Sequence, residues 1–86
     1  PQATPVTRVV VADDSLSVRR ALEQLMQDAG FEVATARDGF EALAAIQAKP
    51  THALLVDLEM PRMNGLEVTR SLRNHEDTRE LPVVMI

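Results

Sequence analysis

The chain has 86 residues, a formal net charge of -4, 45% hydrophobic and 26% charged content, and no cysteine, tryptophan or tyrosine. That length holds one small domain, which at this size buries only roughly 60–65% of its unfolded surface. Acidity and the shortage of aromatic residues argue against nucleic acid as a direct partner, the missing cysteines rule out disulfides and thiolate metal sites, and no apolar run is long enough to span a membrane.

In chain order, the proline-containing leader Pro1–Thr7 reads as a linker ahead of a domain over residues 8–86. Arg8 to Ala12 carries Val9-Val10-Val11 without polar alternation, the mark of a strand buried on both faces of a parallel sheet. Asp13-Asp14-Ser15 follows with helix-capping residues. From Leu16 the apolar positions Val18, Ala21, Leu22, Leu25, Met26 and Ala29 recur at three- and four-residue steps, which predicts a helix with one packing face, stopped by Gly30. Phe31 to Ala36 is a shorter, more mixed strand suited to a sheet edge. Arg37-Asp38-Gly39 makes a turn with a cap, and Phe40 to Ala48 a second helix ending before Pro50.

Ala53 to Val56 is a third buried strand, and it ends abruptly in Asp57. A loop stiffened by Pro61 leads to Asn64, the cap of a third helix over Leu66 to Arg73. Asn74 to Glu80 reads as a charged loop, and Leu81 to Ile86 as a fourth strand on which the sequence stops. The alternation predicts an α/β fold with a parallel sheet and right-handed crossovers. An apolar strand in last position gives the expectation of a domain cut short, with an edge that a second copy would pair with.

If the chain starts in mid-sheet and winds first one way and then the other, strands one and three are adjacent. Their carboxyl ends then bring Asp13, Asp14 and Asp57 into one crevice. Three carboxylates together repel unless protons or a cation intervene. A hard divalent ion such as Mg²⁺ would resolve this, leaving Asp57 as a carboxylate nucleophile for phosphorus. Blander readings stand beside this one: helix capping for Asp13 and Asp14, a solvated strand end for Asp57, and an exposed loop acid for Glu59, whose backbone carbonyl is otherwise a candidate metal ligand. His52 and His75 lack partners at metal spacing, Met60 and Met63 read as loop packing, and Ser15 and Ser17 have no His-Asp context.

Val-Val-Val-Ala-Asp13-Asp14-Ser15, then Asp38-Gly39, then Val-Asp57-Leu-Glu-Met-Pro-Arg-Met-Asn-Gly65 together resemble the receiver domain of bacterial response regulators. The resemblance implies a flavodoxin-like (CheY-like) fold, a doubly wound parallel sheet of strand order 2-1-3-4-5, of which this sequence reaches about four strands and three helices. It implies that Asp57 is the phosphorylation site, supplied by a histidine kinase or phosphotransfer domain. Asp13, Asp14, Asp57 and the Glu59 carbonyl would bind Mg²⁺. A cytoplasmic location follows, as does a downstream effector or attached output domain as the target. The Asp-Ser-Leu-Ser-Val-Arg-Arg wording is similar to receivers at the C-terminal end of chemotaxis-type hybrid histidine kinases. Family members also carry a Ser or Thr after the fourth strand and a Lys on a fifth, and the sequence stops before either.

The competing readings are a pseudo-receiver that keeps the fold without phosphotransfer, and a small Mg²⁺-dependent phosphohydrolase. The second would need a general acid near Asp57 and a substrate pocket. Dinucleotide binding is disfavoured, because acids at the first turn would repel a pyrophosphate.

Overall fold

The computed structural model describes residues 6–86. Of the expected linker, residues 1–5 lie outside the described residues, while Val6 and Thr7 are exposed. The elements are β1 (Arg8–Ala12), α1 (Leu16–Asp28), β2 (Glu32–Ala36), α2 (Gly39–Ala48), β3 (Ala53–Val56), α3 (Gly65–Arg73), a 3₁₀ turn (Glu76–Thr78) and β4 (Val83–Met85). All strand pairs are parallel and the sheet order is β2-β1-β3-β4, the doubly wound arrangement expected from the sequence. No helix among the described residues is long and apolar enough to cross a membrane.

Right-handed crossovers fix which side each helix takes. The step from β1 to β2 runs one way along the sheet and the later steps run the other way, so α1 lies on one face and α2 and α3 on the opposite face. Val10, Ala12, Leu54 and Val56 point toward α2 and α3 and join Ala42, Ile46, Val68 and Leu72 in the core. Each fully buried Val or Leu there contributes about 1.5–3 kcal/mol relative to exposure.

The helix starts follow local chemistry. Ser15 Oγ accepts from the Val18 amide at 3.4 Å, and Asp38 Oδ1 from the Glu41 amide at 2.9 Å. Asn64 and Glu67 form a reciprocal capping box, with bonds of 2.9 and 3.0 Å. At the far end of α1, Gly30 takes φ +97°, the left-handed conformation that ends helices.

Two features add detail to the expectations. The apolar stripe of α1 has the predicted period, but none of the helix's residues is fully buried, and Leu25 remains 63% exposed. A single helix covers Val9 and Val11 but leaves its own flanks open, because no second helix packs beside it among the described residues. The charged loop after α3 contains the 3₁₀ turn, in which Thr78 Oγ1 donates to Leu72 O at 2.7 Å and recaps α3.

Arg8 is a buried cation at the amino end of β1. Its Nη1 donates to Ala45 O, Lys49 O and Thr51 Oγ1, and its Nε pairs with Glu32 at 3.2 Å. It satisfies one carbonyl of the last turn of α2, Ala45 O, and the carbonyl of its cap, Lys49.

Candidate functional site

Register builds the site. Ala12 of β1 lies opposite Val56 of β3, so the next residue on each strand, Asp13 and Asp57, emerges side by side. The ladder runs one step past the strands: the Asp57 amide donates to Ala12 O at 2.9 Å, and the Asp13 amide to Ala36 O at 3.1 Å. Backbone bonds therefore hold both residues at the carboxyl edge of the sheet, where open α/β folds place their binding crevices.

Asp13 is buried, Asp57 half-buried and Asp14 exposed. Carboxylate oxygens from all three lie within 4.8 Å of one another. Asp13 Oδ1 accepts from the Ser15 amide at 2.8 Å, and Asp57 Oδ1 from the Glu59 amide at 3.3 Å. The ion pairs among the described residues join Arg8 to Glu32, Arg37 to Glu41 and Arg62 to Asp38, so none involves a carboxylate of the trio; the Arg19 guanidinium approaches it only through the Asp13 backbone carbonyl, to which Nη1 donates at 2.8 Å. Helix capping does not account for Asp13 and Asp14 either, since the cap of α1 is Ser15. A dense set of hard oxygen donors whose carboxylates have no ion-pair partner suits a small divalent cation.

The trio opens into a cleft of about 710 Å³ whose lining includes Asp14, Asp57, Glu59, Pro61 and Asn64. Glu59 is exposed on this wall, whereas Met60 turns inward and joins the core. Gly65 closes the loop, its amide donating to Leu58 O at 3.0 Å. A Cβ at position 65 would meet the Asp57 carbonyl oxygen at 2.5 Å, so only glycine lets α3 start this close to the acidic residue. His52 and His75 lie elsewhere: His52 Nδ1 accepts from the Arg8 amide at 2.9 Å at the other end of β3, and His75 Nδ1 lies 2.8 Å from Ser71 O.

The sequence reading missed the ties between this loop and α2. Arg62 Nη2 pairs with Asp38 Oδ2 at 2.9 Å, its guanidinium lies 5.4 Å from the Phe40 ring centre, and the Gly39 amide donates to Met63 O at 3.2 Å. Asp38-Gly39 was legible as a turn with a cap, but nothing local marks Arg62 as its partner.

Comparison with known proteins agrees with this geometry. The family model for the response regulator receiver domain matches residues 9–86. Protein PilG of Pseudomonas aeruginosa is 38% identical over 79 residues, covering 92% of this chain and 58% of PilG. The CAI-1 autoinducer sensor kinase/phosphatase CqsS of Vibrio cholerae is 37% identical over 78 residues, covering 90% of this chain and 11% of CqsS. Among solved structures, the chemotaxis response regulator CheY4 of Vibrio cholerae superposes with a TM-score of 0.89 at 37% identity, covering 94% of this chain and 68% of that one. The chain thus spans little more than half of PilG and a small part of CqsS.

Proposed function

The chain belongs to the family of response regulator receiver domains, a signalling family, and we propose that it is the phospho-acceptor of a two-component phosphorelay, taking the phosphoryl group on Asp57. The observation that carries this reading is the parallel register of β1 and β3, which gathers the carboxylates of Asp13, Asp14 and Asp57 within 4.8 Å. In the transfer, an Asp57 carboxylate oxygen attacks the phosphorus of a phosphohistidine. A P–O bond forms as the P–N bond breaks, and the imidazole leaves and takes a proton from solvent.

The donor set fits Mg²⁺, which prefers carboxylate and carbonyl oxygens and retains several waters. Asp13, Asp14 and Asp57 would hold it, with the backbone carbonyl of Glu59 as a further ligand. When bound, Mg²⁺ offsets charge on the transferring oxygens, which is most of what phosphoryl transfer asks of a protein. The chain's own part is positional. The Ser15 amide fixes the Asp13 carboxylate, and the Ala12 carbonyl holds Asp57 at the strand tip.

The phosphoryl donor in this reading is a histidine kinase or phosphotransfer domain, and the recipient of the signal a downstream effector or attached output domain. A cytoplasmic location and no nucleic-acid contact by this domain belong to the same proposal. Placement within a hybrid kinase is supported by the similarity to a sensor kinase/phosphatase.

The test is intact-mass spectrometry after incubation with acetyl phosphate, with and without Mg²⁺, beside an Asp57→Asn variant. A single phosphoryl adduct that needs Mg²⁺ and is lost in the variant is expected. An adduct that survives in Asp57→Asn overturns the assignment of the acceptor. No adduct at all leaves the pseudo-receiver or the need for the family's Lys on a fifth strand, and repeating the assay on a longer polypeptide that includes that strand separates the two.

We propose also that two copies of the 86-residue polypeptide, taken by itself, pair through β4. That strand forms one edge of the sheet, and Val84, Met85 and Ile86 are 50%, 39% and 44% exposed. Unpaired edge backbone with apolar side chains is a template for pairing. Light scattering that finds a monomer at high concentration overturns this.

A further inference from the structure

We propose that Arg62 is a positioning residue: by clamping the cleft wall from Glu59 to Asn64 against the start of α2, it sets how tightly the crevice holds Mg²⁺. The inference rests on the metal reading above.

Arg62 is the one non-glycine residue with positive φ among the described residues, at +67°. For an L-residue the left-handed region costs about 1–2 kcal/mol, and a local bond offsets part of that cost here, the Met63 amide donating to Pro61 O across Arg62 at 2.7 Å. Such a conformation persists only where the surroundings over-determine it. The other holding groups sit at the start of α2. Asp38 is only 8% exposed and uses both carboxylate oxygens, Oδ1 to cap α2 through the Glu41 amide and Oδ2 to receive Arg62. Phe40 is 55% exposed and contributes nothing to the core, but its ring lies beneath the guanidinium. The bond from the Gly39 amide to Met63 O makes a further tie one residue beyond Arg62.

The clamp matters because of what lies on either side of it. Pro61 and Asn64 line the cleft and flank Arg62, and Glu59, a candidate carbonyl ligand, lies on the same wall. Met60 anchors that wall from the core and Arg62 from α2. With the Arg62 anchor gone, the wall keeps only Met60 and the bond from the Gly39 amide to Met63 O, and it can tilt on them. Small displacements of ligands matter most for Mg²⁺, which demands near-ideal octahedral geometry.

The experiment titrates Mg²⁺ into the 86-residue protein by calorimetry, with the amide resonances of Asp13, Asp57 and Glu59 followed by NMR. The variants are Arg62→Gly, Asp38→Asn and the two combined. Arg62→Gly removes the clamp and the backbone strain together, and Asp38→Asn keeps the helix cap but loses the charge partner. Each single variant is expected to bind Mg²⁺ about five-fold more weakly, a coupling of ordinary size between distinct sites. The double variant should be no weaker than the single ones, and Arg62→Gly should keep or raise the melting temperature. A merely structural Arg62 would move the melting temperature and leave Mg²⁺ affinity alone, which overturns the inference. Wild-type protein that takes up no Mg²⁺ at millimolar concentration overturns the metal reading itself, and the two failures are distinguished by the wild-type titration.

Discussion

The two faces of the sheet are built from the same valine- and leucine-rich strands, yet they end in different states. On the α2–α3 face, alternate strand residues meet two helices and a loop residue, Met60, and the cluster closes completely around Leu54, Val56 and Val68 at 0% exposure. On the α1 face one helix covers Val9 and Val11, while Leu16, Leu25 and Val84 stay at 54%, 63% and 50% exposure. Burial in a layered fold depends on how many elements pack on a face, not on the hydrophobicity of any one of them. The comparison also tells where the acidic site draws its rigidity, since the loop that carries it is anchored into the closed face.

The sharpest break of this contrast is Leu54→Ala. It should cost about 2–5 kcal/mol, because a closed cluster cannot collapse around the cavity. That is a large share of the stability of so small a domain, and urea unfolding should find the variant far less stable or unfolded. Gly65→Ala comes next. Its Cβ would press on the Asp57 carbonyl and on Met85 Sδ, at 2.5 and 2.9 Å. Overpacking of this kind costs about 1–3 kcal/mol, and displacement of Asp57 should slow adduct formation in the acetyl phosphate assay.

On the open face Leu25→Lys should change stability by no more than about 0.5 kcal/mol. A large loss there would mean that α1 packs more tightly than its exposure indicates.

The smallest effect is an acid one, on the first turn of α2. Hydrogen bonds from the Arg37 side chain and amide hold the Glu41 carboxyl down to about 2, from an ordinary value of 4.5. A carboxyl whose folded value is depressed stabilises above its unfolded value, and that contribution is lost as pH falls from about 4.5 to about 2. The pair is exposed, so solvent screens it and the change is small. Glu41→Gln should slightly flatten the acid limb of the stability profile measured by thermal melts across that window.

Much of this was legible in the chain. Val9-Val10-Val11 and Ala53 to Val56 read as buried parallel strands because residues covered on both faces lose the polar alternation of half-exposed ones. The helix caps Asp38 and Asn64 stood out because capping is settled within three residues. Asp57 and Asp13 stood out because each follows an apolar run directly. The openness of α1 was not legible: its stripe has the period of a packed helix, and periodicity cannot report how many neighbours share the face. Nor was the partner of Arg62, since the residue after a proline in a loop carries no sign that it will turn left-handed and reach α2.

By itself, then, the sequence determined the alternation of strands and helices, where most of them begin to within a residue (β4 starts at Val83 and not at Leu81), and the presence of carboxylates just beyond two buried strands, all of which are set by residues a few positions apart. Only the tertiary structure decided that Ala12 lies opposite Val56, and hence that Asp13 and Asp57 are neighbours. It also decided that Arg8 closes the end of α2, that Arg62 locks onto Asp38, and that among the described residues α1 alone covers Val9 and Val11. Those outcomes depend on which strands pair and on which side each crossover passes. Such long-range choices are made when the chain closes on itself, and no short stretch of it encodes them.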